Sequence, residues 1–162
     1  MASTALIDLQ TIDLTQVLVG PRELDAYLQQ VGRFRMLEGV LYEDLESGLV
    51  VGYRDIRADD WWAKDHVPGR PLFPGALQIE AAAQLASYDF AAHRLDEALS
   101  KDTFVGFGGV EKARFRGSVE PECRLYLLSK LLKASRRMFR YQTQAIVNHQ
   151  VVFEAEILGV IF

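Results

Sequence analysis

Two side chains capable of proton transfer, His66 and Glu80, stand fourteen positions apart in the sequence. Histidine titrates nearest neutral pH and is the usual general base. Glu80 lies in an apolar segment, and an ionised carboxylate is costly to bury without a partner, so this group tends to keep its proton and suits a general acid. The pair therefore indicates acid–base chemistry in a cavity that excludes water, with His66 as the base and Glu80 as the acid.

Gly75 adds a third group to this candidate site. It stands just before the segment that contains Glu80, so its backbone N–H opens a helix, and its missing side chain lets a substrate atom approach closely. The helix dipole could there polarise a carbonyl group and stabilise the enolate formed when a neighbouring proton is removed. Structural alternatives stay open: Gly75 as a turn glycine, His66 as a surface residue, and Glu80 as a partly solvated group or one tied down by Gln84.

A stiff loop and a long helix must position these residues. Three prolines and two glycines fall between positions 68 and 75, which excludes helix and regular central strand there. Residues 76–99 contain no Pro or Gly and are rich in Ala and Leu, which predicts one central helix over the whole segment. Glu80 is its only charged residue up to Tyr88, so the helix is expected to be buried on all sides.

Short segments of β-branched, aromatic or alternating apolar residues predict a sheet around this helix. A hairpin is expected before the loop and an antiparallel meander after Lys101. Within a leading segment 1–34, a short helix over residues 21–31 begins at Pro21. An apolar helix followed by enough strands to surround it indicates an α+β fold, a curved sheet wrapped around a central helix. The predicted strands are residues 36–42, 49–56, 104–107, 113–115, 124–133, 138–147 and 151–162.

The composition is typical of one globular domain, residues 1–162, with 49% hydrophobic residues, 25% charged residues and a net charge of −4. Cys123 is the only cysteine, so no disulfide framework is expected, and we interpret Cys123 as a buried strand residue. Asp8 and Asp13 do not fit a signal peptide, and no uncharged run reaches the ~20 residues of a membrane-spanning helix. We therefore expect a cytoplasmic protein without membrane insertion.

Several other chemistries lack their motifs. Three scattered histidines and one cysteine have no zinc-binding spacing, so no metal ion is expected. There is no GxxxxGK[ST] phosphate loop. There is also no Gly-x-Ser-x-Gly elbow, which argues against a serine-triad hydrolase.

The loop 66–75 (HVPGRPLFPG) and the segment 80–84 (EAAAQ) closely resemble the signature of the hotdog-fold 3-hydroxyacyl-[acyl-carrier-protein] dehydratases. The match includes the H-x-P-G-x-P-x-x-P-G loop, the offset from His66 to Glu80 and the E-A-x-A-Q run. Residues 107–115 (FGGVEKARF) are similar to the strand that follows the helix in that family. The similarity extends from about Arg35 to the C-terminus, and the first thirty or so residues match poorly.

The resemblance implies a hotdog fold in which two subunits join their sheets edge to edge, as a homodimer or a higher oligomer of dimers. His66 would then meet Glu80 of the partner subunit. The implied reaction removes water from a (3R)-3-hydroxyacyl thioester to give the trans-2-enoyl thioester in fatty acid or related acyl-chain biosynthesis. His66 would take the proton beside the carbonyl, Glu80 would protonate the departing hydroxyl, and the Gly75 N–H would hold the thioester oxygen. No metal or diffusible cofactor is implied, because the substrate is carried on the phosphopantetheine of an acyl carrier protein.

The resemblance further implies an acyl tunnel, for which we predict Phe73, Leu77, Gln84 and Phe104 as substrate-binding residues. It also implies a surface for the acidic carrier. Residues 111–140 hold nine basic and three acidic side chains on a chain that is acidic overall, which is typical of a surface that steers an acidic partner. The alternatives are charge alternation on solvent-facing strands and, less favoured by the net charge, nucleic-acid binding. The predicted carrier-binding residues are Arg114, Arg116, Arg136, Arg137 and Arg140.

Some positions depart from the family pattern. Glutamate at position 80 favours the plain dehydratases over the dehydratase/isomerase relatives, which carry aspartate there. Asp65 and Val67 replace the usual glycine and phenylalanine beside the histidine, and Asp65 either orients His66 or is a solvated loop acid. The turn 121–123 (PEC) replaces a Pro-Gly-Asp turn. Alternative functions are therefore a hotdog enoyl-CoA hydratase, an acyl thioesterase, or an acyl- or carrier-binding protein without turnover.

Overall fold

The computed structural model describes residues 3–96, 98–100 and 102–162. A four-residue helix α1 and a central helix α2 accompany six strands, and two short 3₁₀ turns flank α1. The elements are α1 (Pro21–Leu24), β1 (Gly39–Asp44), β2 (Leu49–Ile56), α2 (Gly75–His93), β3 (Val105–Phe115), β4 (Cys123–Ala134), β5 (Met138–Val147) and β6 (Gln150–Ile161).

The six strands form one antiparallel sheet in the order β1-β2-β4-β5-β6-β3. Strands β4, β5 and β6 are the predicted meander, whereas β3 pairs with β6 and forms the edge of the sheet. Helix α2 packs against β2, β4, β5 and β6. The prediction of an α+β sheet wrapped around one helix is thus confirmed.

Alanines let α2 lie close to the sheet. Ala81, Ala82 and Ala86 are almost fully buried together with Leu85, and they pack in the main core with residues of every strand from β1 to β6. Gly52 on β2 is required by this packing, because a side chain there would stand 3.0 Å from Leu85 Cδ1. Close packing of this kind holds α2 rigidly on the sheet.

The central helix ends at His93 and not at residue 99 as predicted. The reason is the carboxylate of Asp89, which is buried and needs partners. Tyr141 donates a hydrogen bond to Asp89, and Arg94 turns back to bind it at 3.1 Å. Arg94 thereby leaves the helix although the following residues have good helix propensity, and the distant Tyr141 holds Asp89 in place.

Two further predictions are corrected. The leading helix spans only Pro21–Leu24, because the chain then turns so that Leu24 and Leu28 both enter the core. The separate strands predicted at 104–107 and 113–115 are one strand, β3, whose register shifts twice against β6. Lys112 has φ 54° at the second shift. This irregularity interrupts the alternation of apolar and polar residues from which a strand is predicted.

The first residues pack on the outer face of the sheet. Leu127 belongs to the core beneath α2, whereas its neighbour Leu128 belongs to a second apolar cluster with Leu9 on the opposite face. Leu6 N–H donates to the buried amide of Gln144 at 2.7 Å. The leading segment therefore covers apolar side chains that the sheet would otherwise expose.

Candidate active site

The loop before α2 contains a tight turn at residues 67–70. Pro68 and Gly69 occupy its central positions, Gly69 has φ 79°, and the Arg70 N–H donates to the Val67 carbonyl at 2.9 Å. A turn with Pro followed by a residue at positive φ is the type II geometry that Gly favours. The turn reverses the chain and brings residue 72 back to residue 66.

This reversal orients the imidazole of His66. The ring nitrogen Nδ1 lies 2.8 Å from the Leu72 carbonyl oxygen, which can only accept. The proton must therefore be on Nδ1, and Nε2 keeps a free lone pair for use as a base. The Leu72 carbonyl, and not Asp65, orients the ring, and the side chain of Asp65 lies exposed in the same loop.

Phe73 anchors the end of the loop. Its N–H donates to the Val119 carbonyl at 2.7 Å, and its ring packs against Trp62 with the ring centroids 5.3 Å apart. The Trp62 carbonyl in turn accepts from the His66 N–H at 2.9 Å. His66 is thus exposed at the surface but held by the carbonyl groups of Trp62 and Leu72.

Glu80 lies half-buried one turn and a half into α2, so it is less enclosed than the sequence predicted. Its Oε1 accepts a 2.7 Å hydrogen bond from Gln84 Nε2. Gln84 also donates to the Phe34 carbonyl, and its oxygen accepts from the N–H groups of Met36 and Leu37. Gln84 is 1% exposed and all of its amide capacity is used, so it positions Glu80 instead of facing substrate as we predicted.

A cavity of about 150 Å³ lies beside Glu80. One face of α2 supplies Glu80, Ala83 and Ser87, which follow one another at helical spacing. The opposite wall comes from β3, β5 and β6 and includes Phe107 and Phe139, and Phe34 adds a further side. The arrangement places one carboxyl group in a mainly apolar slot.

Gly75 begins α2, as predicted. A side-chain carbon at this position would lie 2.8 Å from Phe115 Cε1 on β3. The glycine therefore allows Phe115 to approach the start of the helix. The edge strand β3 contacts both halves of the site, because Phe115 lies at Gly75 and Phe107 lines the cavity of Glu80.

No hydrogen bond or ion pair joins His66 to Glu80 within the part of the chain that the structure describes. His66 does not line the cavity of Glu80 either. One protomer therefore holds the candidate base and the candidate acid apart.

The edge strand β3 exposes three apolar side chains among charged ones. Phe107 is 48% exposed, Val110 38% and Phe115 53%. An exposed edge strand offers unpaired backbone groups, and apolar side chains on it indicate an interaction surface.

Phe73, Leu77 and Phe104 do not line the cavity of Glu80. Phe73 is buried against Trp62, Leu77 packs against the main core, and Phe104 is half-exposed with its ring stacked on Phe162 at 5.3 Å. Ala83 and Ser87 line the cavity although they were not predicted, and their spacing from Glu80 on one helix face could have indicated them. Phe34 and Phe139 also line it, but they are distant in sequence and no pattern indicates them.

The five predicted carrier-binding arginines do not form one patch. Arg116 lies at the start of β6, where it pairs with Glu154, and Arg140 pairs with Glu111 and Glu156. A hydrogen bond from Lys112, followed by one from Arg140, holds the pKa of Glu156 below its usual range.

Arg136 and Arg137 lie exposed in the turn between β4 and β5, at the other end of β6. The Arg116 N–H binds the Val152 carbonyl, and the Ile161 N–H binds the Arg137 carbonyl. Nine residues of strand separate these contacts, which is roughly 30 Å at ~3.3 Å per residue. The predicted arginines are therefore spread along β6 and do not form a single basic surface. Arg114 lies near Arg116, and Arg140 lies between Arg114 and Arg137.

Two further features bear on the predictions. Among residues 3–96, 98–100 and 102–162, no three His, Cys, Asp or Glu side chains are grouped so that they could bind a metal ion. Neither helix in that part of the chain has the length and apolar character needed to cross a membrane.

Comparison with known proteins places this architecture in a family. A family model described as a FabA-like domain matches residues 28–156. Two similar proteins carry the name 3-hydroxyacyl-[acyl-carrier-protein] dehydratase FabZ. The one from Syntrophobacter fumaroxidans is 33% identical over 135 residues, covering 83% of this chain and 88% of its own. The one from Syntrophotalea carbinolica is 36% identical over 119 residues, covering 73% and 79%.

Solved structures share the fold at low identity. The dehydratase heterocomplex ApeI:P from Xenorhabdus doucetiae superposes with a TM-score of 0.68 at 16% identity, covering 85% of this chain and 89% of that one. A thioesterase superfamily member from Thermus thermophilus gives a TM-score of 0.55 at 13% identity, covering 70% and 80%.

The fold and the loop–helix site define a hotdog-fold protein, as predicted. The chain belongs to the FabA-like family of hotdog dehydratases, which confirms the resemblance found in the sequence.

Proposed function

We propose that this protein dehydrates (3R)-3-hydroxyacyl thioesters carried by an acyl carrier protein, in fatty acid or related acyl-chain biosynthesis. The proposal is supported by two hydrogen bonds, one that orients the candidate base and one that orients the candidate acid. The Leu72 carbonyl fixes the imidazole of His66 with Nε2 free, and Gln84 fixes the carboxyl of Glu80 beside an apolar cavity. An oriented base and an oriented acid are what a proton-transfer reaction needs.

The complete site is shared between two protomers. The apolar edge of β3 is the surface on which a second chain adds its own β3, and this contact covers Phe107, Val110 and Phe115. Since β3 lies against both Gly75 and the cavity of Glu80, pairing at this edge brings the loop of one chain to the cavity of the other. His66 then acts with Glu80 of the partner subunit.

The reaction begins at the carbon next to the thioester carbonyl. His66 Nε2 takes a proton from C2, and negative charge develops on the thioester oxygen. The N–H of Gly75, at the positive end of α2, stabilises this charge. The base is thereby converted to an imidazolium held by the Leu72 carbonyl.

The second step removes the hydroxyl group. The electron pair left at C2 forms the C2–C3 double bond as the C3–O bond breaks, and protonated Glu80 gives its proton to the departing oxygen, so that water leaves. Glu80 ends as a carboxylate, and the Gln84 N–H that binds its Oε1 stabilises that form. Return of the proton from His66 to Glu80 restores the starting state. This chemistry uses no metal ion and no diffusible cofactor.

The proposal also includes the surface that binds the carrier and the cellular compartment of the protein. We assign the docking of the acidic carrier to Arg136 and Arg137, because Arg116 and Arg140 are already paired with glutamates of the chain. A carrier-dependent reaction of this kind belongs in the cytoplasm.

The experiment that tests the function uses the reverse reaction, hydration of crotonyl thioesters, followed by loss of enoyl absorbance. His66→Ala and Glu80→Gln are each expected to lower kcat/KM by about 10²–10⁴-fold. Asp65→Asn is the matched control, since this neighbouring side chain does not orient the ring, and it should retain most of the activity. Full activity of His66→Ala, or release of free thiol in place of hydration, would contradict the proposal, and the latter result would indicate a thioesterase.

A further inference from the structure

The cavity beside Glu80 is small for an acyl tunnel. Pockets that enclose drug-sized ligands usually measure about 300–1,000 Å³, whereas this cavity measures about 150 Å³. A lining side chain must therefore limit the length of this cavity.

Helix α2 defines the direction of the cavity. Glu80, Ala83 and Ser87 line it in order, so it runs along the helix for about 10 Å at 1.5 Å per residue. Small side chains at positions 83 and 87 leave this space open. The helix starts against Phe115 at the far end of β3, so the cavity leads away from Gly75 toward the C-terminal half of α2.

An aromatic pair stands at that end. The next large residue on this face of α2 is Phe90, and its ring packs on Phe139 with the centroids 4.7 Å apart. Phe139 lines the cavity and is 1% exposed. Its ring crosses over Gly159, where an added side-chain carbon would lie only 2.0 Å from Phe139 Cζ. Phe90 from the helix and Gly159 from β6 therefore hold the Phe139 ring in place.

We infer that Phe139 sets the acyl chain length of this enzyme by closing the slot beyond Ser87. The inference rests on the proposed function for its chemistry. With the reacting carbons next to Glu80, the small remaining space before Phe139 favours short acyl chains. Longer chains must displace a ring that is packed on both sides.

The test measures binding and turnover separately for chains of four to twelve carbons. The binding probes are non-reacting 3-hydroxyacyl pantetheine amides, titrated by calorimetry, and the turnover substrates are the matching enoyl thioesters. For the unaltered protein, affinity and kcat/KM are both expected to fall by tenfold or more between six and ten carbons. Equal binding of four-carbon and ten-carbon probes would overturn the inference.

Two substitutions test the role of Phe139, one that enlarges the slot and one that narrows it. Phe139→Leu opens the end of the slot and should raise the ten-carbon to four-carbon ratio by tenfold or more. Ser87→Leu narrows the slot nearer to Glu80 and should weaken binding of six-carbon probes relative to four-carbon probes. Leu132→Ala, an exposed apolar position on β4 away from the cavity, is the control and should leave both ratios unchanged.

The outcomes separate the two proposals. Length-dependent binding without any turnover would overturn the proposed reaction and leave Phe139 as the determinant of length. Turnover with ratios that neither Phe139→Leu nor Ser87→Leu changes would support the reaction and overturn the role of Phe139. If Phe139→Leu does not fold, Ser87→Leu still decides, because it adds atoms to the slot without removing any from the core.

Discussion

Gln84 Nε2 donates a hydrogen bond of 2.7 Å to Glu80 Oε1. The same amide joins Glu80 to the segment that enters β1, through the carbonyl of Phe34 and the N–H groups of Met36 and Leu37. Since every donor and acceptor of Gln84 is used, the direction of the Glu80 carboxyl depends on the correct placement of a segment far away in sequence.

Replacing Gln84 should therefore alter catalysis as well as stability. Gln84→Ala leaves buried N–H groups unpaired, so we expect a loss of about 1–3 kcal/mol in the free energy of unfolding. We also expect kcat to fall by about tenfold or more with little change in KM, because the Glu80 carboxyl loses the donor that orients it. Gln78→Ala is the matched control: Gln78 is a buried glutamine on the same helix that binds the Phe73 carbonyl. An equal fall of kcat in both variants would reduce Gln84 to a structural role.

Gly75 and Phe115 should be energetically coupled. Gly75→Ala places a carbon 2.8 Å from Phe115 Cε1, so the ring must move, and we expect a destabilisation of about 1 kcal/mol or more. Phe115→Ala removes the clash. In a double-mutant cycle by thermal unfolding, the double variant should lose less stability than the sum of the two single losses. Simple additivity would show that the glycine is not needed for this contact.

Acid stability should depend on Asp55. Hydrogen bonds from Arg124, at 2.7 and 2.9 Å, hold the pKa of the Asp55 carboxyl below its usual range. A carboxyl whose pKa is lowered on folding stabilises the fold above its unfolded value, ~3.9. That stabilisation is lost as the pH falls through the lowered value.

Because the Asp55 side chain is 31% exposed, its contribution is about 1 kcal/mol. Asp55→Asn should be less stable than the unaltered protein at neutral pH, and the difference should vanish at the lowest pH. Urea unfolding between pH 2 and 7 measures this. A constant difference across the whole range would mean that the ion pair does not contribute through ionisation.

The exposed Arg136 and Arg137 should respond to substitution differently from Arg140, which is paired with glutamates. The double variant Arg136→Ala/Arg137→Ala should raise KM several-fold for carrier-bound substrates at low salt, with no change for pantetheine thioesters, because exposed charges steer an acidic partner. Arg140→Ala should instead lower the melting temperature, since Glu111 loses its partner and Glu156 keeps only Lys112. A KM effect from Arg140→Ala without one from Arg136→Ala/Arg137→Ala would contradict the assignment of the carrier to the turn between β4 and β5.

The sequence predicts those features that depend on local chemistry. The start of α2 follows from Pro74 and Gly75, and the bounds of β4 and β5 agree within one residue with the predictions. The candidate base and acid follow from residue types and spacing on the loop and the helix. These signals lie within a few residues of the features that they predict.

Features that depend on distant contacts could not be predicted in this way. The end of α2 depends on Tyr141, which is 52 positions from Asp89. The role of Gln84 depends on backbone groups 47 and 48 positions away, so its helix position alone suggested contact with substrate. The limit of the cavity depends on Phe139, whose ring can cross β6 only because residue 159 is glycine.

The most direct test of the shared site is subunit complementation. His66→Ala and Glu80→Gln are each prepared as inactive proteins, unfolded together, refolded as a mixture and assayed for crotonyl thioester hydration. In a mixed dimer with twofold symmetry, one of the two sites receives both natural side chains, so random pairing should restore about a quarter of the activity of the unaltered protein. Activity no greater than that of the two variants refolded separately would contradict a site built from His66 of one chain and Glu80 of the other.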